Sequence, residues 1–563
     1  MAASNTPMPH GNATYRARVF FLSGLGLLVL PLIPEVVLQL TARSDLKLAA
    51  PILYYEAIVS FLVLSPALLL PGIWGRGWMI VTALPLALTS IIVGFHALSL
   101  GARWSLTAHT ALLQTNKAEA WGYLLSFTSL ARLVGVTFFV TVFFACAYLN
   151  FRSIPPSAKT KILVLLAGLA FSGYGISNAL RYGSELVRDV AVDDGAKVRM
   201  VDVKVNMLHP LSLMAAVHYN YRSTHLYYLH QFQQTKAQEA VLAGAQPISG
   251  ASSPRVIVVV IGESAGRRHW SLYGYDRPTT PELKKLGTEI IAFSDVIAIN
   301  VGTRSSIRSM LATEHEAIPV FRLFSGAGYT THWISAQRNQ SFDDLETSAM
   351  VRSCDHVTFL NGTYDENLLP LLKNVVAQPG RQMIFLHLMG SHVRYSDRYP
   401  ASYATFHGNT ADEQRRATYD NTILYTDHVL AASIALLRQA DSSACLLYVS
   451  DHGEDVYDSR PDKYLFRDDS IATDPMYEVP FIAWLSPAYT QENPEFSGSI
   501  AVARNRKYQD RGLYHTLISL ARLRHPLYVP QADLFSPAFV ERERRVGSAG
   551  RVYEKSISAQ PRQ

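Results

Sequence analysis

The sequence predicts two architectures in one chain: an N-terminal domain of five transmembrane helices, and a C-terminal α/β domain with a mostly parallel sheet between helices. Three observations predict this. Five apolar stretches of about 20 residues or more fall before residue 182, each long enough to cross ~30 Å of hydrocarbon. From Pro254 to about residue 540, short apolar strands alternate with amphipathic helices, the pattern of an α/β sheet. Two of those strands, Val256–Ile261 and Cys445–Val449, run directly into polar residues, and strand ends are where open α/β sheets bind ligands. The 563 residues are too many for one compact domain, and the average of 49% hydrophobic and 17% charged residues hides a far more apolar first third.

The membrane elements follow in order. Residues 1–15 are polar; Arg16 and Arg18 then precede an apolar run from Val19 to Leu40. The run is too long for a signal-peptide core and lacks a small-residue cleavage site, so it reads as a first span, kinked at Pro31 and Pro34, with Glu35 near its far end. Further spans are predicted over Leu48–Leu70, Trp78–Leu100, Trp121–Leu149 and Ile162–Leu180. Arg16, Arg18, Arg76, Arg152, Lys159 and Lys161 lie on one side, against Arg43, Lys47, Arg103 and Lys117, partly offset by Asp45 and Glu119, on the other. The positive-inside rule then puts the N-terminus inside and everything after about residue 182 outside. The outer loop 101–120 holds His109, Thr115 and Glu119. Thr115 and Glu119 are four apart and share a face if the loop is helical; a capping Thr on a solvated helix fits the spacing as well.

Domain boundaries follow: 1–181 membrane, 182–253 connector, 254–545 α/β domain, 546–563 polar, basic tail. The connector mixes charges with Tyr219, Tyr221, Tyr227 and Tyr228 and has helical spacing near 225–241, suited to an interfacial helix; residues 244–254 read as a linker. Strands are predicted at Val256–Ile261, Ile290–Ser294, Thr330–Ile334, Met383–His387, Cys445–Val449 and Phe481–Leu485, with a helix over Asn421–Gln439. The net charge of +6 is too mild and dispersed for nucleic acid, and fits a surface near anionic headgroups or glycolipids. Cys146, Cys354 and Cys445 are odd in number and form no CxxC, which argues against a disulfide framework and against a cysteine-ligated metal.

Chemistry concentrates past the strands. Gly262-Glu263-Ser264 follows the first, and Ser450-Asp451-His452-Gly453-Glu454-Asp455 the fifth; these are oxygen and nitrogen ligands for a zinc-like cation. Asn300-Val301-Gly302-Thr303-Arg304-Ser305-Ser306 is a glycine turn with hydroxyls ahead of an apolar-periodic helix. A hydroxyl there serves either as a nucleophile favoured by the helix terminus or as an N-cap. His387 and His392 bracket a further strand end, and Lys463 and Arg467 fit either phosphate binding or a solvated charge run.

Gly262-Glu263-Ser264, Ser271-Leu272-Tyr273-Gly274-Tyr275 and Arg277-Pro278-Thr279-Thr280-Pro281-Glu282-Leu283 resemble the start of the catalytic domain of bacterial phosphoethanolamine transferases, in the alkaline phosphatase/sulfatase superfamily. Leu386–His392 and Tyr448–Asp458 are similar to further blocks of that family, and the wording is nearest to the branch that modifies heptose in the lipopolysaccharide core. The resemblance implies a zinc held by Glu263, Thr303, Asp451 and His452, with Thr303 as nucleophile and Ser305 in reserve. It places His392 on the transferred phosphate or a second metal, His387 and Gln337 with it on the substrate, and Thr115 and Glu119 on the ethanolamine or donor lipid. One zinc is expected. Ala111 and Ala336 replace residues that are often Asn, the stapling cysteines of lipid A-modifying members are missing, and no His-Gly follows the Asp-His segment. These departures weaken the case for a second metal and a lipid A acceptor.

The implied protein is a multi-pass enzyme of the bacterial inner membrane with a periplasmic catalytic domain, acting as a monomer. It would move phosphoethanolamine from phosphatidylethanolamine to lipopolysaccharide, core heptose favoured, through a covalent Thr303 intermediate. Lipid A phosphate and periplasmic glucan are the alternative acceptors. A glycerol-phosphate transferase shares the plan, but the Leu386–His392 block argues against it. A sulfatase needs Cys or Ser with Pro and Arg two and four residues on, which 300–310 lacks. A non-catalytic membrane sensor or scaffold would have lost a ligand position, and none of the four is lost.

Overall fold

A computed structural model describes residues 10–33, 36, 53–54, 57–58, 60–70, 72–100, 129–152, 157–188, 245–313, 318–337, 350–460, 467, 472–547 and 550–554. They divide into two compact units, residues 10–188 and residues 245–554.

The first unit is helical: α1 (His10–Val29), α2 (Gly72–Leu100), α3 (Leu130–Arg152) and α4 (Ala158–Arg188). Among the described residues, Gly77–His96 and Arg132–Asn150 are long and apolar enough to cross a membrane, each with mean hydropathy 2.0; Arg18–Val29 and Ser60–Leu69 are shorter apolar helices. The predicted run Val19–Leu40 is interrupted where α1 gives way to a 3-10 turn at Leu30–Leu32 containing Pro31, because proline cannot donate the next helical bond. Leu22, Leu25, Val81, Leu88, Leu133, Phe138, Leu163 and Leu166 point outward, an apolar exterior suited to lipid. Asn150 Nδ2 donates to Phe20 O at 3.1 Å and Ser23 Oγ at 3.2 Å, tying α3 to α1. The loop with Thr115 and Glu119 lies outside the described residues, as do most of the connector and Lys463.

In the second unit, the run Val256–Ile261 has no polar face and must be buried on both sides. It forms β1 (Val256–Gly262), fully buried along its length. The sheet has seven strands in the order β2-β7-β6-β1-β5-β3-β4, with β2 Ile290–Phe293, β3 Tyr329–Ser335, β4 His356–Phe359, β5 Arg381–His387, β6 Ala444–Ser450 and β7 Phe481–Leu485. β7 runs antiparallel to both β2 and β6, so the sheet is mixed by that one strand, while the other six share one direction as predicted. β4 escapes the sequence pattern because its residues are largely exposed at the opposite edge and form no apolar run.

Helices cover both faces. Ile257, Val259 and Ile261 pack in one layer with α5 (Thr303–Leu311), α6 (Val320–Gly326) and α9 (Leu513–Leu520). Val256, Val258 and Val260 pack in the other with α7 (Leu368–Val376) and α8 (Ala411–Gln439). Each such buried side chain contributes about 1.5–3 kcal/mol. α8 starts ten residues before the predicted Asn421, at a capping box in which Glu413 N donates to Thr410 Oγ1 and Thr410 N to Glu413 Oε2. Its polar first turns hide it from an apolar-periodicity search.

Candidate metal centre

Strand register builds the site. Ile261 of β1 pairs with His387 of β5, and Gly262 pairs with Ser450 of β6, so three polar segments leave the sheet side by side. Backbone bonds then lock them together: Asp451 N donates to Gly262 O at 3.0 Å, Ser391 N to Glu263 O at 2.8 Å, and Leu388 N to Ile261 O at 2.9 Å. Gly390, at φ +49°, is required twice over. Its backbone is left-handed, and a Cβ would lie 2.8 Å from Glu263 O.

Glu263, Asp451 and His452 are fully buried, and one ligand atom from each lies within 4.8 Å of the others. Thr303, first residue of α5, joins them: its Oγ1 donates to Glu263 Oε2 at 2.8 Å and sits 3.4 Å from His452 Nε2. Ser305, the reserve candidate, is exposed and donates back to Gly302 O instead.

The donor set fits a cation. His452 Nδ1 lies 2.9 Å from Gly453 O, which assigns the ring proton to Nδ1 and leaves Nε2 an acceptor. Burial, and then the Arg467 charge, push His452 down to about 3, so the ring is neutral near pH 7. Its Nε2 nonetheless faces Asp451 Oδ2 at 3.3 Å and Glu263 Oε1 at 3.5 Å. Acceptors converging on acceptors repel unless a cation sits among them. Among the described residues none donates to buried Asp451 Oδ2, and burial together with the Glu263 charge drives its carboxyl well above the usual range. Two carboxylates, an imidazole nitrogen and a hydroxyl are a zinc-type set.

Supporting groups orient the ligands. Ser264 Oγ donates to Glu263 Oε1 at 2.6 Å, while Ser264 N and His452 N donate to Asp451 Oδ1 at 3.1 and 2.8 Å. Gln337 Nε2 donates to Glu263 Oε2 at 3.2 Å and to Leu388 O at 3.0 Å. Asp365 accepts from Met389 N at 2.7 Å and Gly390 N at 3.0 Å, holding the loop after β5. The sequence assigns Gln337 and His387 to substrate, but the structure buries both behind Glu263. His387 rests Nδ1 on Ser335 Oγ at 3.0 Å against the Trp333 ring, and burial pushes it down to about 4. His392 is half-buried, near enough for its charge to act on Glu263 and His452. Arg467, readable from sequence as a solvated charge, reaches the cluster and contacts His452 Nε2. Asp365 sits in a loop without any sequence signal.

Behind the site, His269 bridges two segments: Nδ1 to Asp420 Oδ1 of α8 at 2.6 Å, and Nε2 to Asp458 Oδ2 of the loop after β6 at 3.2 Å. Tyr275 and Arg277 also bond Asp420. Burial works to lower this histidine, but the two carboxylates outweigh it and raise it to about 9. A raised folded-state value stabilises fully below the ordinary 6.5 and is lost as pH rises through 9, a contribution on the order of 3 kcal/mol. Resistance to urea should therefore fall between pH 6 and pH 9.5, and Asp420→Asn should flatten that dependence. An equally steep loss in the variant would exclude the His269 bridge as its source.

The sulfatase family model matches residues 255–522. The chain is 33% identical over 336 residues to the phosphoethanolamine transferase EptC of Escherichia coli K12, covering 54% of this chain and 57% of that protein, little more than half its length. A crystal structure of the periplasmic domain of E. coli EptC in complex with zinc matches at 31% identity and TM-score 0.51, covering 55% of this chain and 95% of that domain. The integral membrane protein EptA, the lipooligosaccharide phosphoethanolamine transferase A of Neisseria meningitidis, shares the fold at 18% identity and TM-score 0.65, over 92% of this chain and 97% of that one. With the domain match at 31% over nearly all of the EptC domain, the chain belongs to the phosphoethanolamine transferase family, its catalytic domain matching the sulfatase model.

Proposed function

We propose that the chain transfers phosphoethanolamine from phosphatidylethanolamine to lipopolysaccharide, with core heptose as the favoured acceptor. The observation that carries the reading is the Thr303 hydroxyl at a helix N-terminus, bonded to Glu263 and beside His452 in a buried acceptor cluster. Glu263, Thr303, Asp451 and His452 would hold one zinc. Zinc there would lower the hydroxyl pKa and offset charge on the phosphoryl oxygens. Thr303 Oγ1, its proton released to solvent, attacks phosphorus. The bond from phosphorus to the glycerol oxygen breaks, and diacylglycerol departs with a proton taken up from solvent. Phosphoethanolamine remains on Thr303 until an acceptor hydroxyl attacks the same phosphorus, its proton returning to the threonine oxygen as that oxygen leaves. The amides at the start of α5 face the developing negative charge. His392 would contact the transferred group, and Thr115 and Glu119 would receive the donor headgroup, Glu119 pairing with the ammonium.

The outward apolar side chains of the helical unit support a membrane domain, read as five spans over residues 1–181 with a cytoplasmic N-terminus. The 182–253 connector then leads to a periplasmic catalytic domain at 254–545 and the 546–563 tail. A lipid donor and a lipid-anchored acceptor both lie at such a membrane. The name of the N. meningitidis protein, a lipooligosaccharide transferase, agrees with an acceptor of this class.

Mass spectrometry of lipopolysaccharide from cells with and without the gene tests the reading. A phosphoethanolamine increment that fragments with core heptose is the expected result. An increment on lipid A would keep the reaction and overturn the acceptor. An unchanged lipopolysaccharide, with no turnover of labelled phosphatidylethanolamine by purified protein, would refute the reaction.

A further inference from the structure

Arg467 brings a cation to atoms that the proposed metal would use. Its NH1 touches His452 Nε2 and lies 3.5 Å from Glu263 Oε1, while its Nε lies 3.1 Å from Glu454 Oε2. Glu454 is buried, and the Arg467 side chain is only 11% exposed. The guanidinium is therefore drawn inward by buried negative charge and does not belong to a solvated charge run.

From this we infer that Arg467 is a substrate-binding residue that competes with zinc for the Glu263–His452 pair and, once zinc is bound, grips the phosphoryl oxygens of the donor. The inference rests on the transferase reading above.

Three observations carry it. A divalent cation and a guanidinium cannot share Glu263 Oε1 and His452 Nε2, since like charges at contact repel strongly in a buried site. Metal loading must then move NH1 off these atoms, while Glu454 retains Nε and keeps the guanidinium at the rim. Secondly, Thr303 Oγ1 lies 3.4 Å from the same His452 Nε2 that NH1 touches, so a phosphoryl group reacting at Thr303 falls within reach of the displaced fork. A planar guanidinium suits two phosphoryl oxygens at once. Thirdly, among the described residues no second group of His, Cys, Asp and Glu converges as a metal site. Arg467 supplies a second positive charge where a second metal would otherwise be invoked.

The test uses the full-length protein in detergent, stripped of metal. Zinc affinity is measured by competition with a chromogenic chelator, and turnover of labelled phosphatidylethanolamine at saturating zinc. Arg467→Gln should bind zinc about 10-fold tighter, because its competitor is gone, while donor kcat/KM falls about 10- to 100-fold from the lost charged hydrogen bonds. Arg467→Lys should restore wild-type zinc affinity, since the charge returns, but recover only part of the turnover, since the fork does not. A residue that merely supports the fold would weaken zinc binding and turnover together. Zinc affinity unchanged or weakened in Arg467→Gln, or unaltered kcat/KM, would overturn the inference. If wild-type protein turns over no donor yet Arg467→Gln still tightens zinc, the transferase reading fails while the competition stands.

Discussion

Thr303→Ala should reduce phosphatidylethanolamine turnover by about 10⁴-fold or more, ~5.4 kcal/mol of barrier, because it deletes the atom that attacks in the first half-reaction and leaves in the second. The hydroxyl is half-buried at the start of α5 and, among the described residues, makes no long-range bond except to the acceptor cluster, so the fold should survive its loss. Thr303→Ser keeps an oxygen there and should retain measurable turnover. Ser305→Ala should stay near wild type, since Ser305 only closes on Gly302 O within its own turn. Intact-protein mass spectrometry after exposure to donor without acceptor should show phosphoethanolamine on the wild type and none on Thr303→Ala. Adduct formation on Thr303→Ala, or loss of turnover on Ser305→Ala alone, would move the nucleophile elsewhere.

Asp451→Asn should weaken zinc binding by about 10³-fold, roughly 4 kcal/mol, and should also raise the stability of the metal-free protein. Both effects have one cause. Asp451 is buried beside Glu263, its Oδ2 receives no hydrogen bond from the described residues, and its carboxyl is driven well above the usual range. Without metal that carboxylate is a liability; with metal it is a ligand. The amide removes the repulsion, and its carbonyl oxygen can still accept from Ser264 N and His452 N, as Oδ1 does now. Thermal unfolding in chelator and in saturating zinc separates the two effects. The variant should melt higher than wild type in chelator and show little shift on adding zinc. A lower melting temperature in chelator would mean that Asp451 serves the fold rather than a cation.

Much of the site is legible along the chain because it is built from strand ends. An apolar run that stops at Gly262-Glu263 or at Ser450-Asp451-His452 announces a buried strand delivering polar groups to one edge, and six of the seven strands lie within a residue or two of their predicted bounds. Of the seven, only the exposed edge strand β4 leaves no trace. Thr303 and Ser305 are indistinguishable by pattern, since each is a hydroxyl near a helix start. The helix geometry separates them, turning one toward Glu263 and the other to solvent.

By itself the sequence determined the α/β class of the second unit, the positions of its core strands, and the strand ends that carry Glu263, Asp451 and His452, since local patterns of burial and punctuation encode these; Thr303 came from the resemblance of its turn to the family blocks. Tertiary structure decided what lies beside what. The antiparallel β7, the burial of His387 and Gln337 behind Glu263, the Asp365 clamp and the approach of Arg467 to His452 all depend on side-by-side register of distant strands. Ser264 N meets Asp451 Oδ1 across 187 residues of chain, and Thr303 meets Glu263 across 40. Such contacts form only when inter-strand hydrogen bonds and the two packed faces have placed those segments together, and no local pattern records that alignment.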